Sequence, residues 1–144
     1  MATGDRKDPY QNFRYLVEID GLVLAGFTEV SGLQAETRVE TYREGGVNDY
    51  VHRLPGETTY PNIVLKRGVT DSSALWDWHQ EVVSGKFSRK NGYVVLLDSE
   101  GEETWRWNFI SAYPAKWSGP DLRSESDSIA FESIELAHNG IKKA

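Results

Sequence analysis

The chain has 144 residues, no cysteine, and 22 acidic against 16 basic side chains, for a formal net charge of −6. That length fits one domain able to bury about 68–70% of its unfolded surface, and Val, Ile, Leu and Phe supply about a quarter of it, too many for a disordered chain. The acidity argues against a dedicated nucleic-acid or membrane-surface binder, while the absence of cysteine excludes disulfides, thiolate metal sites and a thiol nucleophile.

Residues 1–12 are polar and carry Gly4 and Pro9, which predicts a flexible N-terminal arm ahead of a single domain over 13–144. The opening residues lack the apolar stretch of a secretion signal, and no run approaches ~18 apolar residues, so a soluble, unexported chain is expected. Phe13, Tyr15, Val17 and Ile19 alternate along one face of a strand. Asp20-Gly21 then separates that strand from the apolar run Leu22 to Phe27, a type I′ hairpin signal, because both residue types tolerate positive φ.

Glu36 to Arg43 is extended in character but polar on both sides. Glu36, Arg38, Glu40 and Tyr42 share one side; Thr37, Val39, Thr41 and Arg43 share the other. After Gly45-Gly46, the segment Tyr50 to Leu54 is expected to run back beside it, giving a ribbon over about 36–54. Such a ribbon buries little and is marginal alone. Leu54-Pro55-Gly56-Glu57 reads as a turn, and Asn62 to Arg67 as a strand with Ile63, Val64 and Leu65 at its centre.

Asp71 or Ser72 is placed to cap the one convincing helix, Ser73 to Ser84, which Gly85 ends. Leu75, Trp78 and Val82 form its apolar stripe. Asn91-Gly92 predicts a turn before the continuously apolar strand Tyr93 to Asp98. Ser99 to Glu102 turns the chain into Glu103–Phe109, where Trp105, Trp107 and Phe109 alternate as core residues. Pro114, Gly119 and Pro120 predict irregular chain over 113–121. The last strand, about Ile129 to His138, shifts its apolar phase, which predicts a bulge near Ser133. Many short strands and one helix argue for a mainly β fold, a β-sandwich or part-barrel with a flanking α-helix.

Chemistry is sparse. His52, His79 and His138 fall in no metal-binding spacing, and no nucleophile elbow, phosphate loop or dinucleotide fingerprint occurs. Successive helix positions turn by about 100°, so Asp77 and His79 do not share a face and form no dyad. Asp98, Glu100, Glu102 and Glu103 could offer oxygens to a hard cation, but their spacing is not that of a calcium loop, and a solvated turn is the better reading. The expectation is no enzyme, no cofactor and no metal. Trp76 and Trp117 are the tryptophans expected at the surface, where they suit either a subunit contact or a sugar-stacking platform.

One set of segments runs in order from Asp8 to Ile141: Asp8-Pro-Tyr-Gln-Asn-Phe-Arg14, Ala25-Gly-Phe-Thr-Glu-Val-Ser-Gly-Leu33, Tyr42-Arg-Glu-Gly-Gly46, Leu54-Pro-Gly56 and Tyr60-Pro-Asn-Ile-Val-Leu-Lys-Arg-Gly-Val-Thr70. It continues through Leu75-Trp-Asp-Trp78, Arg106-Trp-Asn-Phe109, Lys116-Trp-Ser-Gly-Pro120 and Ile134-Glu-Leu-Ala-His138. This ordered set resembles the tube proteins of contractile phage tails and phage-tail-like injection systems. The resemblance implies six-membered rings whose subunits join into a large β-barrel and stack into an inner tube. It further implies a contractile sheath around that tube, baseplate or hub proteins at its end, DNA or protein cargo in the lumen, and no membrane anchor. Assembly in the cytoplasm and a place in a particle, released or not, follow from the same likeness.

Under that resemblance the poorly buried ribbon becomes an inter-subunit arm, carried by Thr41, Tyr42, Arg43, Glu44, Gly45, Gly46, Asn48 and Tyr50. Glu36, Arg38 and Glu40 become candidates for the lumen wall, which the acidic balance predicts to be net negative so that DNA slides without adhering. The irregular 113–121 segment is assigned to ring stacking. Two rivals stand beside this reading: a specialised tube subunit at the baseplate end, and a monomeric carbohydrate-binding β-sandwich module using Trp76 and Trp117.

Overall fold

Two-residue periodicity does most of the folding here, and one strand carries it around a corner. The computed structural model describes residues 14–20, 22–24, 27–43, 45–46, 51–86, 88–125 and 129–143. In chain order these form β1 (Arg14–Ile19), β2 (Leu22–Leu24), β3 (Phe27–Ser31), β4 (Glu36–Tyr42), β5 (His52–Thr59), β6 (Ile63–Gly68), α1 (Ala74–Val83), β7 (Lys90–Leu97), β8 (Glu103–Ser118), β9 (Phe131–Ala137) and β10 (Gly140–Lys143). Every strand except β4 and β5 belongs to one antiparallel sheet in the order β2-β1-β7-β8-β9-β6-β3, with β10 also paired to β8.

The 16-residue β8 is what turns this sheet into a sandwich. Its first part pairs with β7 and β10, and its second part, Tyr113 to Ser118, pairs with β9. At the change of partner, Ser111 takes φ +54° and its N–H donates to Asn91 Oδ1 at 2.9 Å. Val17, Ile19, Val94 and Phe109 from one half and Phe27, Ile63, Leu65, Ile134 and Leu136 from the other meet in a single core, which Leu75 and Trp78 of α1 complete. The chain is a β-sandwich with one flanking helix, and its sheet does not close on itself.

The predicted first hairpin is present: Ile19 lies opposite Leu22 and Asp20 has φ +49°. Helix α1 starts one residue later than expected, after Ser73, whose hydroxyl donates to Asp77 Oδ2 at 2.8 Å, and Ser72 Oγ accepts from the Ala74 N–H. Gly85 at φ +79° ends it in a Schellman turn, with Gly85 N–H to the Val82 carbonyl and Lys86 N–H to that of Glu81.

Four expectations are corrected. Leu54-Pro55-Gly56-Glu57 is no turn but lies within β5, where Gly56 and Glu57 together oppose Arg38 in a bulge. Asn91-Gly92 lies within β7; a Cβ on Gly92 would strike the Glu18 carbonyl and the Phe109 ring, so this glycine serves close packing rather than a turn. Residues 113–118 are regular strand, with Ala115 as the extra residue where the register with β9 shifts.

The last correction concerns the phase of β9. Glu132, Ile134 and Leu136 alternate on the buried face without any bulge at Ser133, and Ile129 and Phe131 are not on that face. The apparent shift came from counting Glu132 as polar surface. It is 6% exposed and its Oε1 accepts from Arg67 Nε at 2.7 Å, directly across the β6–β9 ladder.

Candidate assembly surfaces

Three places carry unpartnered surface, and the ribbon is the most conspicuous. Among the described residues β4 and β5 pair only with each other, and all seven β4 residues are exposed. Thr37 and Thr58 share a hydroxyl hydrogen bond at 2.9 Å across the ladder, and the Tyr42 and His52 rings lie 6.1 Å apart. Val39, Tyr42 and Leu54 are half exposed, at 50, 57 and 52%. A two-stranded ribbon with large apolar groups in water lacks the burial that normally sustains such a unit.

Of the expected arm residues, Thr41, Tyr42, Arg43, Gly45 and Gly46 fall on the end of this ribbon, and the alternation places Glu36, Arg38 and Glu40 on its one side with Tyr42. Glu44, Asn48 and Tyr50 lie outside the described residues, as does the 1–12 arm. The ribbon runs on past the expected Leu54 to Thr59, and sequence reasoning missed Pro55, Thr58 and Thr59 because a Pro-Gly pair inside a strand looks like a turn.

Sheet edges are the second place. Among the described residues, β3 pairs only with β6, β2 only with β1, and β10 only with β8. Each leaves a row of backbone donors and acceptors free for another chain. Strand β10 was not anticipated, since Gly140-Ile-Lys-Lys143 offers a single apolar residue. Ile141, packed against the core, was its one available signal.

The third place surrounds α1. Trp76 is exposed, but Trp117 is half-buried and packs against the core, and the two rings meet edge to face at 4.8 Å and 77°. This geometry offers no flat platform for a sugar. Trp105, expected in the core, is 38% exposed, with Lys143 Nζ 4.4 Å from its ring centroid; Trp107 packs against the core. Phase alone gave both the inward side, but burial along this part of β8 becomes complete only at Phe109, which is 1% exposed.

The acidic turn is occupied with its own backbone. Asp98 Oδ1 accepts from the N–H groups of Glu100 and Glu102, both at 2.9 Å, and Gly101 at φ +84° completes the reversal. Asp77 accepts from Ser73, and His138 Nε2 lies 3.0 Å from the Pro61 carbonyl. Among the described residues no three His, Asp or Glu side chains are grouped to hold a metal. What the surface offers is edges, a ribbon and apolar patches: material for protein contact.

The family pattern described as T4-like virus tail tube protein gp19 matches residues 11–142. The chain belongs to the tail tube protein family. It superimposes with a TM-score of 0.86 on a chain of the anti-feeding prophage baseplate at 25% identity, covering 96% of this chain and 97% of that one. A chain of the extended sheath–tube complex of an extracellular contractile injection system gives 0.85 at 26% identity, covering 94% and 91%. Hcp1 from Flavobacterium johnsoniae shares the fold at 0.62 and 19% identity, covering 90% and 94%. Among curated proteins, none matches the chain by sequence.

Proposed function

We propose that this chain is the protomer of the inner tube of a contractile tail or injection particle, forming stacked six-membered rings around a lumen. The reading is carried by the family match over residues 11–142 together with near-complete superposition on chains of tube-bearing particles, one of them solved with sixfold symmetry. The free edges of β2, β3 and β10 suit a ring in which neighbouring sheets continue one another. Such a ring would hold far more than the ~8 strands at which a barrel interior fills with side chains, leaving an aqueous bore.

The partners that follow are further copies of the chain, a contractile sheath, baseplate or hub proteins, and DNA or protein cargo held without sequence readout. The role is mechanical and conductive, with no bond chemistry. Assembly takes place in the cytoplasm before the particle acts or is released. In this scheme the ribbon, from Thr41 and Tyr42 through Asn48 and Tyr50, is an arm onto a neighbouring subunit, and Glu36, Arg38 and Glu40 are the candidates for the bore. The same fold would serve a ring at the baseplate end, and copy number in a purified particle separates the two roles.

Electron microscopy of the purified chain at high concentration tests the reading. Sixfold rings or tubes are the expected outcome; a strict monomer in sedimentation across the same range would overturn it.

A further inference from the structure

Beside α1 lies a cleft of about 270 Å³ between the helix and the start of the β1–β2 turn. Ile19, Leu75 and Trp78 line its apolar interior, and Asp20, Asp77 and Glu81 stand exposed at its rim, with Lys90 the one cation among the described lining residues. The cleft therefore suits a segment with an apolar centre and basic flanks.

The same chain carries such a segment. Cross-strand pairs Val39–Pro55 and Thr41–Arg53 share one side of the ribbon, and alternation adds Arg43 and Val51. Among the described residues this side holds two arginines and no carboxylate, because Glu36 and Glu40 lie on the opposite side. Val39 and Val51 are 50% and 37% exposed.

We infer that the ribbon of one copy seats its Val39–Arg53 side in the α1 cleft of a second copy, with Arg43 and Arg53 facing Asp20, Asp77 and Glu81. Complementary charge fixes which copy is engaged and in what register, while the apolar centre supplies the contact area. This rests on the tube reading, since it names the surface that receives the arm.

Charge exchange tests it. Arg43→Glu/Arg53→Glu and Asp77→Lys/Glu81→Lys should each lower the amount of stacked tube sedimenting from solution by ~10-fold or more, and the four changes together should restore most of it. Because the chain has no cysteine, Val51→Cys/Glu81→Cys offers an independent readout: a ladder of disulfide-linked chains on oxidation, absent from either single variant. Undiminished tubes in both reversed variants, or no recovery in the combination and no ladder, would overturn the docking while leaving the tube function standing. Absence of rings and tubes from the unaltered chain would overturn the function, and the docking with it.

Discussion

Strands β4 and β9 are both seven residues long and both lie in antiparallel ladders, yet β9 buries three side chains on one face and β4 buries none. β9 sits between β8 and β6 with the sandwich core beneath it; β4 has one partner and water on both sides. The body buries a core of its own. The ribbon is regular structure whose missing burial has to come from another chain, and length and hydrogen bonding do not distinguish the two.

Perturbations should therefore affect stability in the body and association in the ribbon. The largest stability effect is expected at the buried ion pair. Arg67→Ala leaves Glu132 charged and unpaired in the core and should lower unfolding free energy by ~3–5 kcal/mol in urea titration, whereas Arg67→Met/Glu132→Leu should recover most of that loss. Equal damage from the single and double changes would mean that the pair's charges are not what matters there.

Gly92→Ala forces a methyl against the Glu18 carbonyl and the Phe109 ring and should cost ~1–3 kcal/mol, read by the same titration. Gly85→Ala, strained at φ +79° but facing open space, should cost ~1 kcal/mol and shorten α1 by circular dichroism only slightly.

The smallest stability effect belongs to the ribbon. Deleting residues 41–49 should move the unfolding midpoint by no more than ~0.5 kcal/mol equivalent while abolishing ring stacking under the microscope. Stacking that survives the deletion would take the arm role from the ribbon. A stability loss as large as that of Arg67→Ala would erase the contrast between the two regions.

Much of this division was legible in the residues. Alternation located β1 and the first half of β8, and short continuous apolar runs located β6 and the apolar half of β7. The 3.6-residue stripe and Gly85 located α1. The ribbon's two polar sides already signalled a need for outside contact. Local signals misled where a turn-forming residue serves another purpose, since Gly56 lies in a bulge with Glu57 and Gly92 makes room for Phe109. Burial of Glu132 was illegible for a related reason, since a carboxylate enters a core only when a partner such as Arg67 meets it there, 65 residues away in the chain.

By itself, then, the sequence determined the fold class, the elements with a clean period, and, through an ordered set of segments, the kinship with tail tube proteins. Only the tertiary structure decided that β8 turns the corner between the two halves, that Trp105 is exposed while Glu132 is buried, and that an acidic, apolar cleft lies beside α1. Periodicity is a property of neighbours along the chain and can be read from them. Burial depends on which distant strand arrives on the other side, and that is fixed only when the whole sheet has folded over its core.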